Sequence, residues 1–134
     1  MAFTPVKYDD GQTDELPITA GVTVAKGDAL AWASGYLQRA TSATTEVKYI
    51  ALEGVVDSDS EAPRVLVLNI KGVEIIADTN TAPVRATDVG VKADLTDHDT
   101  LNESASDNDV FEIVDIVGAT SDKKVRGYFV SKTS

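Results

Sequence analysis

The apolar residues of this chain come in short runs broken by glycine, aspartate, serine and threonine, and nowhere over a useful length at helical spacing. That rhythm restricts the chain to strands joined by tight turns. The clearest strands are expected over Ala29–Ala33, Tyr36–Arg39, Tyr49–Val56, Arg64–Ile70, Val73–Ala77, Val110–Val117 and Val125–Ser131. Ser34-Gly35 reads as a hairpin turn, because glycine accepts the positive φ such turns require, and Lys71-Gly72 reads as a second. Pro63 and Pro83 fall in connections, where they interrupt no ladder. A short helix has room near Ala82–Thr87, with Thr81 as N-cap and Pro83 in its first turn.

A chain of 134 residues fits one domain with a real core. The fold class expected is all-β, a small antiparallel β-barrel or sandwich. An internal echo predicts two pseudo-repeated units inside it. Gly27-Asp28-Ala29-Leu30-Ala31-Trp32, then Leu37, leads into Glu46-Val47-Lys48-Tyr49-Ile50. Gly90-Val91-Lys92-Ala93-Asp94-Leu95, then Leu101, leads into Asp109-Val110-Phe111-Glu112-Ile113. Both halves then reach a glycine, Gly54 or Gly118, a polar loop, and a strand led by Arg64 or Lys124. Two such units could close one barrel or face each other across a shared core. Residues 1–16 differ, since Asp9 to Glu15 are polar and turn-forming. They read as an extended N-terminal arm outside the core, with a frayed terminus as the alternative. Residues 17–134 then form the single β-domain.

Net charge is −10, from 22 acidic against 12 scattered basic residues. That balance argues against nucleic acid and against an anionic membrane surface as partners. No apolar run is long enough to span a bilayer, and Met1 to Pro5 lacks the basic-then-apolar form of a secretory signal. Cysteine is absent, which removes disulfides, thiolate metal sites and thiol catalysis. The single histidine, His98, lies in the polar string Thr96-Asp97-His98-Asp99-Thr100 and reads as a solvated turn residue. No Gly-x-Ser-x-Gly elbow or phosphate-binding glycine pattern accompanies it. No enzyme activity, cofactor or resident metal is expected.

Asp57, Asp59 and Glu61, then Asp97 and Asp99, then Asp107 and Asp109 are spaced as calcium ligands could be, but none fits an EF-hand loop. They read as acidic hairpin tips. Val24-Ala25-Lys26-Gly27-Asp28-Ala29-Leu30 is similar to a hairpin of biotinyl and lipoyl carrier domains, but no second turn presents a lysine for modification. Trp32 is expected in the core. In the arm, Phe3, Val6 and Tyr8 are the candidate contact residues for a partner.

Three features together resemble a known family: the string Ile18-Thr19-Ala20-Gly21-Val22-Thr23-Val24-Ala25-Lys26-Gly27-Asp28-Ala29-Leu30, the strand ending at Gly54, and Val110 to Val130. The chain is similar in these to capsid decoration, or cement, proteins of tailed bacteriophages. The resemblance implies a non-enzymatic structural protein, made in the host cytoplasm and seated on the outer capsid of the virion. It implies a homotrimer at threefold or quasi-threefold sites that ties capsomers together by binding the major capsid protein. It also implies an arm that adds a strand to a capsid-protein sheet, anchored here by Phe3, Val6 and Tyr8. Rival readings are another phage part (tail-tube, head-completion or fibre-tip domain) and a carbohydrate- or ligand-binding β-sandwich module.

Overall fold

The computed structural model describes residues 2–19, 22–56 and 64–130. In chain order its strands are β1 (Phe3–Pro5), β2 (Thr13–Pro17), β3 (Thr23–Val24), β4 (Ala29–Ala33), β5 (Tyr36–Arg39), β6 (Tyr49–Ala51) and β7 (Val55–Val56). Then come β8 (Arg64–Asn69), β9 (Ile75–Asp78), β10 (Lys92–Leu95), β11 (Leu101–Asn102), β12 (Phe111–Ile116) and β13 (Lys124–Phe129). A single helical turn, α1 (Arg85–Asp88), separates β9 from β10. Val84 rather than Thr81 precedes it, and the Asp88 carboxylate accepts the Val84 N–H at 2.6 Å.

The fold is all-β, as the alternation implies. The β4–β5 hairpin falls on the expected residues, and Ser34 and Gly35 take φ of 53° and 87°, the two left-handed residues of a tight turn. The expected Tyr49–Val56 strand is divided, because Leu52 to Gly54 turn the chain out of one sheet and into the β3–β7 pair. The loop from Asp57 to Pro63 and the last residue of the Val125–Ser131 strand lie outside the described residues.

The echo corresponds to a repeated topology. One antiparallel sheet runs β2-β8-β6-β4-β5; the other runs β1-β9-β13-β12-β10-β11. Setting β1 aside, the second order is the first with β9, β13, β12, β10 and β11 in the roles of β2, β8, β6, β4 and β5. The registers agree as well. Trp32 pairs with Leu37 as Leu95 does with Leu101, and Leu30 with Tyr49 as Ala93 does with Phe111. Ala51 pairs with Val67 as Ile113 does with Gly127, and Leu16 with Val65 as Ala77 does with Val125. Each sheet is curled by one parallel bridge between its ends, Ile18 to Leu37 and Thr79 to Leu101. Even the next bond recurs: Thr19 N–H donates to Leu37 O at 2.9 Å and Asn80 N–H to Leu101 O at 2.8 Å. The sequence echo aligns Ile50 with Ile113, whereas the ladders align Ala51 with Ile113. A one-residue slip of this kind exchanges the two faces of a strand.

The two units use their faces differently. On one face of the first sheet, Leu30, Leu37, Ala51, Val65 and Val67 cluster with Ile18 and Val24. On its other face Ala29, Ile50 and Leu68 join the larger core, which holds Leu95, Leu101, Phe111, Ile113, Val125 and Phe129 of the second sheet. The back of the first curled sheet therefore fills the hollow of the second. Gly127 stands where the first unit has Val67, and a Cβ there would collide with the Glu112 carbonyl and the Phe111 ring.

Residues 2–17 do not form a free arm: two of their stretches pair into the sheets, and Phe3 enters the core. Phe3 pairs with Ala77 in the second sheet and is 1% exposed, its ring edge-on to Phe129 at 5.0 Å. Thr13 to Pro17 pair along β8 in the first sheet, so the N-terminal segment contributes a strand to each. The polar run from Asp9 to Glu15 misled the reading because β2 is an edge strand, whose Asp14 and Glu15 side chains stay in solvent.

Both N-terminal strands leave an edge that is already closed. On β1 the Phe3 N–H donates to Gly27 O at 3.0 Å, and Pro5 has no N–H to offer. On β2 the Glu15 N–H is taken by its neighbour Asp14 at 2.8 Å, the Glu15 carbonyl accepts from Arg64 at 3.1 Å, and Pro17 again lacks a donor. Such edges resist pairing with a foreign strand. Phe3→Ala is expected to cost about 3–5 kcal/mol of stability, the usual loss for a buried phenyl ring. Urea unfolding of the variant, followed by tryptophan fluorescence, measures it.

Candidate functional site

Of the three expected contact residues, Phe3 is withdrawn into the core, while Val6 and Tyr8 remain on the surface, 51% and 40% exposed. Their position follows from how the chain leaves β1. The Val6 N–H donates to Glu74 O at 2.9 Å, extending the ladder one step. The chain then turns through Asp9 to Gln12, closed by Gln12 N–H to Asp9 O at 2.9 Å and Asp9 N–H to Gln12 Oε1 at 3.1 Å. The Gln12 amide also donates to Asn69 O at 3.3 Å, which ties the turn to β8. The result is a shallow hollow lined by Val6, Tyr8, Gln12, Gly72, Glu74 and Tyr128.

This hollow opens on the outer face of the second sheet. Glu112 pairs with Tyr128 there, and Lys92 with Glu112. By the repeat these are the positions of Ile50, Leu68 and Ala29, the residues through which the first sheet packs on the second. The face that is apolar and covered in one unit is amphipathic and uncovered in the other. Around it Arg126 bridges Glu74 at 3.1 Å and Asp115 at 3.7 Å, and Arg85 bridges Asp115 at 2.7 Å. These bonds hold the Asp115 carboxyl below the usual carboxylate range, the Arg85 hydrogen bond first.

Two further exposed aromatic side chains lie on the two faces of the β4–β5 hairpin, since Trp32 pairs with Leu37 and Tyr36 with Ala33. Trp32 is 43% exposed rather than core, with its ring edge-on to Tyr49 at 5.8 Å, and Tyr36 is 45% exposed near the hairpin tip. A strand pattern alone does not distinguish Trp32 from its repeat partner, the buried Leu95, which shares the larger core with Ala29, Ile50 and Leu68 of the first sheet.

His98 is not a solvated turn residue. Its carbonyl accepts the Ala29 N–H at 2.7 Å, and its Nδ1 lies 3.0 Å from Oδ1 of Asp28, which is almost fully buried. Asp28 Oδ2 accepts the Ala25 N–H at 2.9 Å, so the carboxylate is satisfied on both oxygens. His98 thus latches the second unit's β10–β11 loop onto the turn that opens β4. Asp94 has a similar structural task in the loop before β12. It is buried, and its two oxygens accept the N–H groups of Asp107, Asn108 and Asp109 at 2.7–3.1 Å. Neither buried carboxylate was singled out from the sequence, where an acidic residue beside apolar ones carries no mark of its burial.

Asp97 and Asp99 share the His98 loop. Burial opposes ionisation of Asp97, but hydrogen bonds from the Asp99 side chain and backbone and the nearby His98 outweigh it and hold its carboxyl below the ordinary value. Burial and the shared bond with Asp97 push Asp99 up. Asp28, His98 and Asp99 bring ligand-type atoms within 4.8 Å of one another, yet Asp28 and His98 already satisfy each other. The Asp57–Glu61 group lies outside the described residues. Comparison with protein-family models, with curated proteins and with solved structures finds no match to this chain.

Two outcomes follow from the latch. His98→Ala leaves the Asp28 carboxylate buried with one donor fewer and is expected to cost about 1–3 kcal/mol, read by chemical denaturation. Asp99 binds its proton more readily folded than unfolded, so its ionisation opposes folding at neutral pH, and that penalty fades as pH falls through its raised pKa. Asp99→Asn should therefore raise the melting temperature at pH 7, with a gain that shrinks towards pH 4.

Proposed function

We propose that this chain is a non-enzymatic structural protein that binds the outer surface of a phage capsid, as a homotrimer, and strengthens contacts between capsomers. The supporting observation is the uncovered outer face of the second sheet, where Val6, Tyr8 and Tyr128 frame a hollow on a backbone held by ladder bonds. A rigid apolar patch ringed by charges is the anatomy of a protein-binding surface, since little ordering entropy remains to be lost on docking. The capsid protein is its proposed occupant. Lys7 and Asp9 beside the patch call for polar groups or charges of both signs on that partner. A net charge of −10 suits a protein on the outside of a shell packed with nucleic acid.

The mode of binding differs from the arm model. Phe3 cannot leave the core without loss of its packing, and β1 and β2 have closed edges, so addition of a strand to a capsid sheet is replaced by docking of a preformed face. The exposed aromatics Trp32 and Tyr36, one on each face of the β4–β5 hairpin, supply contacts between copies, which a closed trimer would repeat three times.

Purified protein mixed with DNA-free expanded phage shells tests this reading. The double variant Val6→Asp, Tyr8→Ala should keep its melting temperature and lose about tenfold or more in shell affinity, as central apolar anchors do. Unchanged shell binding by that variant would remove this face from the account. Sedimentation of Trp32→Ser, Tyr36→Ser should show loss of the trimer; a trimer that persists would move the self-contact elsewhere.

A further inference from the structure

A cleft of about 510 Å³ lies where the end of β5 and the Ala40–Ser42 segment of the first unit face the Thr96–His98 loop of the second. Its volume is in the range of small-molecule sites, and junctions between units are where such sites form. The lining is unusual for this chain. Thr23, Thr41, Ser42 and Thr96 are hydroxyl-bearing residues of its lining, and Arg39 brings the cleft's one guanidinium.

Arg39 is the informative residue. Among the described residues it forms no salt bridge, whereas Arg85 and Arg126 are paired at 2.7 and 3.1 Å, in a protein with 22 acidic residues. Its single polar contact is a long one, Nη1 to His98 Nε2 at 3.4 Å. His98 is itself held from the other side of its ring, where Nδ1 lies 3.0 Å from Oδ1 of Asp28. The buried Asp28 thereby fixes the ring, and the ring in turn steadies the guanidinium through Nη1, leaving the parallel N–H groups on Nε and Nη2 free. A fork left free in a hydroxyl-lined cleft matches a carboxylate, which it binds through two parallel bonds.

We propose that this cleft binds a small polyhydroxylated carboxylate of the kind a uronic acid presents, with its carboxylate on Arg39 and its hydroxyls on Thr41, Ser42 and Asp97. Asp97 fits the role of hydroxyl acceptor, since its carboxyl stays ionised more readily than an ordinary one. The site is separate from the Val6–Tyr8 face, so it stands or falls independently of capsid binding.

The test is amide NMR of the full chain titrated with glucuronate, glucose and acetate in parallel. Glucuronate should shift the amides of Gln38–Ser42 and Thr96–His98 with a dissociation constant in the millimolar range, the others binding about tenfold weaker or less. Arg39→Gln should abolish the glucuronate shifts in an otherwise unchanged spectrum, and Arg39→Lys should restore them only in part. Glucuronate shifts that are absent from these amides, or that survive Arg39→Gln, would overturn the proposal. Equal binding of acetate would reduce the site to a bare carboxylate cradle, and equal binding of glucose would make it a neutral sugar site; each contradicts it.

Discussion

The seating of Ala29, Ile50 and Leu68 in the hollow of the second sheet is the contact on which the rest of the molecule depends. Two copies of one five-strand unit could have folded as separate small barrels. Instead, the back of one is the filling of the other, which gives the second unit a core larger than its own strands could build. That choice breaks the equivalence of the units. The positions that pack the first sheet, Ala29, Ile50 and Leu68, become Lys92, Glu112 and Tyr128 in the second, because nothing in the chain covers that face. Phe3 completes the arrangement, closing the last gap beside Phe129 and Ala77 with a strand that has no counterpart in the first unit.

Much of this was legible in the sequence, because alternation and glycine-bearing turns are local signals. The Ala29–Ala33 and Tyr36–Arg39 strands and the Ser34-Gly35 turn need only neighbouring residues to specify them. The echo was legible for the same reason, although its alignment slipped by one residue near Ile50. Composition could not reveal that slip, since Ile50 and Ala51 are both apolar and both buried, on opposite faces. Phe3 is a different case. A lone aromatic before a proline and a polar run has no periodicity, and its burial depends on Phe129, at the far end of the chain.

The setting of the contact residues, and the latch, depend likewise on distant parts of the chain. Val6 and Tyr8 were singled out as the anchors of a loose arm; they remain exposed, but on a fixed backbone, so the same residues imply docking of a surface rather than donation of a strand. Asp28, Asp94 and His98 look like the acidic and polar residues of any turn. Their burial becomes visible only when Ala25, His98 and the Asp107–Asp109 backbone converge on them from distant parts of the chain. The two carboxylates give backbone and ring donors charge-assisted partners, and this is how loops rich in polar residues are held still against the core.

The central claim is that the N-terminal segment is an integral strand of a single cooperative unit. Native-state amide hydrogen exchange tests it most directly. Thr4, whose ladder partner is Ile76, and Val6, which donates to Glu74, should exchange with protection close to that of the β13 amides opposite β9. Exchange of Thr4 and Val6 near the rate of an unstructured peptide, with β13 still protected, would show that the segment is an arm after all.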